Sequence, residues 1–422
     1  TSLILGYNRI FTEMSLFCHH LKENFMAVAG IITEYNPLHM GHVYLMEEAR
    51  RLLGADTGLI CVMSGNYVQR GDFALLDKRA RASAAVQSGA DLVLELPVPW
   101  ALSSAESFAE GGVKILRATG MVTHMVFGSE CGDTALLARL AAVFCSNDFA
   151  EKLREELRRG DSFPAARQRA AQALLPGEDV SVLKRPNDIL GVEYCKALRG
   201  SGIHPLAVRR RGAVHDSGET KDGFASASAI RTQLLRGAEG RALSLMAPAM
   251  AEAYRAEQKV GRAPARLENC ERAVLARLRF LEAADFEALD LGHEGLYRRF
   301  WRASRSAASA AELLENAKTK RYTLARLRRM MFQAYMGLPP VPPEEPSYLR
   351  VLAANKRGRA LLAGMRENAA LPVLTKPAAV RAMCEEACRL FDLEVRASRL
   401  YALAYPDPAA ALDEWRTGPV IC

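Results

Sequence analysis

The stretch Glu34-Tyr35-Asn36-Pro37-Leu38-His39-Met40-Gly41-His42 carries two histidines three residues apart around a glycine. It joins a short apolar run, Ala27 to Thr33, to an amphipathic one, Gly41 to Leu53, so it reads as a loop between a buried strand and a helix. A helix N-terminus offers unpaired backbone N–H groups and a partial positive charge, and glycine lets a phosphate approach closely. The imidazoles of His39 and His42 could then donate to phosphate oxygens as charge builds during attack at an α-phosphorus. A bare pair of histidines is more often part of an ordinary surface. The preceding strand, the following helix and the first-strand position turn the balance toward a nucleotide. Zinc is the losing alternative, since no third and fourth ligand of matching spacing follows, and no metal is assigned to protein side chains.

Further residues suit the same chemistry. In Phe224-Ala225-Ser226-Ala227-Ser228-Ala229-Ile230-Arg231, Ser226 or Ser228 could cap a short helix and bind phosphate, while Arg231 could neutralise β- or γ-phosphate charge. An ordinary serine-capped helix is the even alternative. Ser64 to Gly71 suits a small substrate, with Asn66 and Gln69 as amide donors and Arg70 facing a carboxylate. In Lys184-Arg185-Pro186-Asn187-Asp188, Asn187 either caps a helix or touches the nucleotide, and spacing favours the cap. Lys318, Lys320, Arg321 and Tyr322 precede Thr323, a plausible N-cap, and Arg326, Arg328 and Arg329 follow it. Cations at a helix start oppose the macrodipole, so RNA backbone contact accounts for them better than a solvated face, with Tyr322 able to stack on a base.

The elements that must hold these groups follow a βα rhythm from Met26. Strands are expected at Ala27–Thr33, Leu59–Met63, Leu92–Leu96 and Thr123–Phe127, and helices at Gly41–Leu53 and Asp77–Ser88. Leu45, Ala49, Leu52 and Leu53 are expected to face the sheet. Continuous apolar strands imply a parallel sheet covered on both faces, and a doubly wound sheet gathers its ligand at the carboxyl ends, after Thr33, Met63, Leu96 and Phe127. After about Arg236 strand signals vanish and helix formers dominate. The reading is therefore an α/β domain over 26–236, a helical domain over 237–422, and a leading extension over 1–25, with a stiff proline-rich connection from Gly337 to Pro346.

Composition bounds the class. The 422-residue chain is half apolar and a quarter charged, which is ordinary for a globular protein of two or three domains. Nine cysteines without CxxC pairs fit a reducing cytoplasm, and no apolar run is long enough to span a membrane. The net charge of +8 is concentrated, at Arg209 to Arg211 and from Lys318 to Arg329, as binding to a polyanion requires.

With these residues in place, the run from Gly30 to His42 resembles the opening of the bacterial tRNA(Met) cytidine acetate ligases, proteins with a HIGH-type nucleotidyltransferase fold. Ser64-Gly65-Asn66 with Gln69-Arg70-Gly71, Gly89-Ala90-Asp91, Phe127-Gly128-Ser129-Glu130, Pro186-Asn187, Ser226-Ala227-Ser228 with Ile230-Arg231, and Lys320-Arg321-Tyr322-Thr323 resemble that family in the same order. The resemblance implies a Rossmann-like sheet domain followed by helices. It implies that acetate and ATP give acetyl-adenylate, and that the acetyl group then passes to N4 of the wobble cytidine, position 34 of elongator tRNA(Met). By matching positions, the ATP site would comprise Ile32, Thr33, Glu34, Tyr35, Asn36, Pro37, Leu38, His39, Met40, Gly41, His42, Val43, Tyr44 and Leu45. Gly128, Asn187 and an arginine of the Arg209–Arg211 run, aligned best at Arg210, would join them. Magnesium is the ordinary companion of ATP. A small-metabolite nucleotidyltransferase is the competing enzyme, and a nonenzymatic RNA-binding protein the competing class; the basic second half argues against the first.

Overall fold

In a computed structural model of the chain, the residues described are 27–160, 162–211, 225–290, 295–320 and 322–422. The extension expected over 1–25, Phe224 and the RNA candidate Arg321 lie outside them. Val28–Thr33 (β1) leads through Met40–Leu53 (α1), Gly58–Ser64 (β2), Lys78–Gln87 (α2), Leu92–Leu96 (β3) and Ala105–Ala118 (α3) to His124–Ser129 (β4). Further helices between 134 and 174 precede Pro186–Ala197 (α4) and His204–Arg209 (β5). Ala227–Leu235 (α5) opens a helical stretch that includes Leu296–Ser306 (α6) and Leu324–Met336 (α7). The chain then returns as Leu349–Ala354 (β6), Glu385–Ala402 (α8) and Val420–Ile421 (β7).

The sheet order is β7-β6-β3-β2-β1-β4-β5, with Val373–Leu374 beside β6. The strands pair in parallel except β6, which runs antiparallel to β3. Alternate residues of β1 feed opposite layers: Val28 and Ile32 pack with α3, and Ala29 and Ile31 pack with α1 and α2. The order reverses between β1 and β4, whose pairing extends only over Ala29–His124 and Gly30–Met125. Beyond Gly30 the two strands part, and the crevice of a doubly wound sheet opens there.

Two expectations change. The strands do not end at Arg236, because β6 and β7 extend the sheet from the far side of the proline-rich connection. Arg350 disguised β6 as surface, yet it is only 4% exposed and pairs with Glu95 at 3.2 Å. In α1, Met46 and Ala49 are the fully buried residues, whereas Leu52 is 45% exposed, so the buried stripe is rotated from the one expected.

Candidate active site

His39 is the N-cap of α1, and its Nδ1 accepts from the Gly41 N–H at 3.0 Å. His42, at N3, answers with its own Nδ1, which accepts from the His39 N–H at 3.2 Å. The HxGH spacing is thus a capping box built from two imidazoles. Because both Nδ1 lone pairs are engaged by the backbone, each neutral ring carries its proton on Nε2. The rings stack with centroids 3.9 Å apart. Burial, assisted by Arg210, lowers the His39 pKa to about 3. Burial, then His39 and Arg210, holds His42 well below its ordinary value. Both rings are therefore neutral donors until an anion arrives.

The loop ahead of them is tightly held. Tyr35 has φ of 46°, a left-handed conformation rare for a side chain of this size. It sets its ring edge-on to His42, with centroids 5.0 Å apart. Asn36 Oδ1 accepts from the Leu75 N–H at 2.8 Å, and the Asn36 carbonyl accepts from Arg231 Nη1 at 2.6 Å.

A cavity of about 520 Å³ opens at the carboxyl ends of β1, β4 and β5. Of the sequence candidates, Ile32, Thr33, Glu34, Tyr35, Asn36, His39, Gly41, His42, Tyr44, Leu45, Gln69, Arg70, Gly128, Asn187, Arg210, Ser226, Ser228 and Arg231 line it. Pro37, Leu38, Met40 and Val43 do not; Leu38 is buried in the core behind the loop and Met40 is 40% exposed. Arg209, Arg210 and Arg211 all reach the wall, and Arg211 lies over the Tyr44 ring with its guanidinium carbon 4.6 Å from the centroid. Gly128 lies beside the Arg210 side chain, where a Cβ would be in ordinary contact at 3.4 Å from Cγ. Desolvation by the walls lowers the pKa of Arg210, Arg231 and Arg329, the last to about 10.

The loop after β2 is where expectation and geometry differ most. Asn66 is buried away from the cavity. Its Oδ1 accepts from the Lys78 N–H at 2.8 Å and so holds the start of α2, which removes it from the acetate candidates. Gln69 is gripped on both sides: its N–H donates to Glu34 Oε1 at 2.7 Å and its carbonyl accepts from Arg329 Nη1 at 3.2 Å. Burial raises the Glu34 carboxyl, against the pull of the Gln69 N–H, Arg231 and Arg70. Gly71, at φ of 75°, is required because a Cβ would lie 2.5 Å from Arg328 Cβ, where α7 rests on this loop.

Asn187 does not cap its helix. Glu130 takes that role, accepting the Asn187 side-chain amide at 2.6 Å and the Asp188 N–H at 2.9 Å, which leaves Asn187 on the cavity wall. Ser226 does cap α5, accepting from the Ala229 N–H at 3.1 Å, and Ser228 Oγ receives Arg231 Nη2 at 3.4 Å. The basic run divides. Thr323 caps α7 as expected, accepting from the Arg326 N–H at 3.3 Å. Arg329 turns into the cavity, Arg328 packs on Gly71, and Lys318 Nζ donates to the carbonyls of Thr319 and Tyr322 at 2.6 Å each. Tyr322 is 4% exposed, with the Arg326 guanidinium over its ring, so the expectation that it stacks on a base is corrected: the ring is packed in the helical core.

Sequence reasoning missed Glu130, Arg329 as a cavity residue, and the apolar wall of Phe108, Phe127, Leu190 and Tyr194. Glu130 lay inside a stretch singled out for its resemblance; the apolar residues carried no local signal. Among the described residues, no group of three or more His, Cys, Asp or Glu side chains is arranged to hold a metal ion. Nor is any helix among them long and apolar enough to cross a membrane.

Comparison with known proteins agrees with this geometry. The model of the HIGH Nucleotidyl Transferase family matches residues 26–414. The tRNA(Met) cytidine acetate ligase of Fervidobacterium nodosum is 36% identical over 409 residues, covering 90% of this chain and 96% of that protein. Its counterpart from Halothermothrix orenii is 34% identical over 91% of this chain and 96% of its own. A crystal structure of Thermotoga maritima TmcAL bound with alpha-thio ATP superposes with a TM-score of 0.85 at 33% identity, over 94% of this chain and 99% of that one. The histidine pair of this chain sits on a helix N-terminus at the switch point of a 3-2-1-4-5 sheet, and the chain belongs to the HIGH nucleotidyl transferase family, among the tRNA(Met) cytidine acetate ligases.

Proposed function

We propose that this protein activates acetate with ATP and transfers the acetyl group to N4 of the wobble cytidine of elongator tRNA(Met). The observation that carries the reading is the excess of cationic and neutral donors around one cavity: His39, His42, Arg70, Arg210, Arg231 and Arg329 line it, against Glu34 as the one carboxylate among the described residues of its wall. A polyanion is what such a wall lacks.

In the first step a carboxylate oxygen of acetate attacks the α-phosphorus, and the bond to the pyrophosphate leaving group breaks. The Nε2 protons of His39 and His42 donate to the oxygens on which charge accumulates. Arg210 and Arg231 neutralise the departing pyrophosphate, with Ser226 and Ser228 beside them. Arg70, on the loop that Glu34 and Arg329 clamp, orients the acetate carboxylate. In the second step the cytosine N4 attacks the acetyl carbon, the carbon–oxygen bond to AMP breaks, and N4 loses a proton. The wobble base comes from a single-stranded loop, which lowers the cost of inserting it. The helices after residue 236 hold the RNA, with Lys318, Lys320, Arg326 and Arg328 at its backbone. Magnesium would accompany the triphosphate, where it would offset phosphate charge. A cytoplasm that contains tRNA and keeps thiols reduced suits both substrates and the eight free cysteines of the described residues.

The test uses purified protein, bulk tRNA, ATP and labelled acetate. Label in N4-acetylcytidine, with pyrophosphate exchange that depends on acetate and proceeds without RNA, is expected. Exchange supported by another carboxylate and not by acetate, or label in no nucleoside, would overturn the reading.

A further inference from the structure

The helix α6, Leu-Tyr-Arg-Arg-Phe-Trp-Arg-Ala-Ser-Arg-Ser, has four arginines and no acidic residue. Leu296, Phe300 and Ala303 face inward and belong to the same apolar core as Leu313 and Leu327. Arg298, Arg302 and Arg305 recur at i, i+4 and i+7 on the exposed side, with Arg299 next to them. Tyr297 and Trp301 lie half-buried on that side, the guanidinium carbons of Arg298 and Arg305 at 5.5 and 5.3 Å from their ring centroids. Among the described residues, the helix's one ion pair joins Arg305 to Glu282 at 2.9 Å.

We propose that the exposed face of α6 is a second RNA-backbone surface, continuous with the cavity, along which the substrate RNA lies while one of its bases is acetylated. Continuity is built into the contacts. Arg299 Nη2 donates to the Asn316 carbonyl at 3.2 Å, so α6 abuts the chain that runs at once into Lys318 and Lys320. That chain enters α7, whose Arg329 is a wall of the cavity. Cations therefore follow the chain from the cavity wall to the outer helices, over one apolar core. Other partners fit less well. A basic amphipathic helix can lie on an anionic membrane, but only if its apolar face is available. Here that face is occupied by the protein's own core. Guanidinium groups beside aromatic rings, with Arg298 Nε donating to the Tyr297 hydroxyl at 2.9 Å, offer a cationic surface of the kind that phosphates take up. The inference rests on the proposal that RNA is the acetyl acceptor.

The experiment measures tRNA affinity of the full chain by fluorescence anisotropy across a salt series. Arg298→Gln with Arg302→Gln is expected to weaken binding at least about tenfold at low salt. It should also lower the slope of log affinity against log salt by about 1 to 2, the value for two lost phosphate contacts. Arg298→Lys with Arg302→Lys is expected to restore most of the affinity and the slope, since it restores the charge. Arg154→Gln with Arg158→Gln, exposed on the helix Asn147–Arg158, removes the same charge elsewhere and is expected to leave the slope unchanged. An unchanged slope in the α6 glutamine variant, an equal fall in the 154/158 control, or failure of the lysine pair to rescue overturns the surface. So does α6-dependent binding to anionic phospholipid vesicles without α6-dependent binding to tRNA. If the wild type binds tRNA through α6 yet transfers no acetyl group, the acetylation reading fails and the surface stands. If transfer occurs and RNA affinity ignores α6, the surface alone fails.

Discussion

Two clusters of buried charge, one around Glu95 of β3 and one in the cavity, have electrostatics that run in opposite directions. At the carboxyl end of β3, Lys78 Nζ meets Glu95 at 2.5 Å and Glu414 at 2.7 Å, while Arg350 meets Glu414 at 2.5 Å and Arg79 meets it at 3.1 Å. Each cation there has its carboxylate. Burial works to lower the Arg350 pKa, yet Glu95 and Glu414 carry it above the ordinary arginine value. Burial likewise works to raise Glu414, but Lys78, Arg350 and Arg79 hold it well below the usual carboxylate range. In the cavity the arginines shift the other way: Arg210, Arg231 and Arg329 are all lowered by desolvation that their few acidic neighbours do not offset. A charge that brings its own partner is a strut. A charge whose partner is missing points to a ligand.

The largest test of this contrast removes a strut. Glu414→Gln leaves Lys78 and Arg350 short of a buried carboxylate and is expected to cost about 3–5 kcal/mol in stability. Chemical denaturation measures it, and a loss under about 1 kcal/mol would mean the cluster is not tightly coupled. In the cavity, His39→Asn keeps an N-cap acceptor and removes the Nε2 donor. Acetate-dependent pyrophosphate exchange should fall about 10²–10³-fold, while the melting temperature stays near that of the wild type. His39→Ala should add about 1 kcal/mol of lost stability to the same kinetic defect. Equal melting temperatures for the two variants would break the capping-box account.

Substituting arginines then sharpens the comparison. Arg231→Met should raise the KM for ATP in the exchange assay and lower the melting temperature less than Arg350→Met does, since it loses a hydrogen bond to the Asn36 carbonyl rather than a buried ion-pair partner. Similar melting curves would show that the two clusters are not different in kind. Proton linkage gives a smaller signal. His39 titrates at about 3 in the free protein against 6.5 as its ordinary value, so the unfolded chain binds more protons between those values and stability rises with pH through that window. An entering triphosphate raises the imidazole pKa, so nucleotide binding in the upper part of that window should take up protons. Calorimetry in buffers of different ionisation enthalpy reads this directly, and proton release would contradict it. A pH signal of opposite sign comes from Glu394, pushed up to about 8 by burial and then by Glu95, above its ordinary 4.5. Its contribution is full below 4.5 and fades as pH rises toward 8, so Glu394→Gln should flatten the stability profile across that range.

How legible all this was varied with distance along the chain. The HxGH loop at the start of α1, the start of α2 near Asp77, the Thr323 cap and strands β1 to β4 rest on neighbours within a few residues, and their signals were local. β6 was hidden because one arginine in a six-residue strand resembles surface until its partner, Glu95, is known to face it from β3. Asn66 and Asn187 shared residue types with a ligand loop and a cap, but Lys78 and Glu130 decided their roles from 12 and 57 residues away.

The sequence by itself determined where a triphosphate could be received, because a strand, a loop with HxGH and a helix dipole are contiguous in the chain. It also determined that the second half is cationic. Tertiary structure alone decided which arginines face inward, that Tyr322 is core and Arg329 is wall, and that Gln69 is clamped between Glu34 and α7. The physical reason is that the sign and use of a buried charge depend on what stands opposite it, and the groups opposite these charges come from distant parts of the chain.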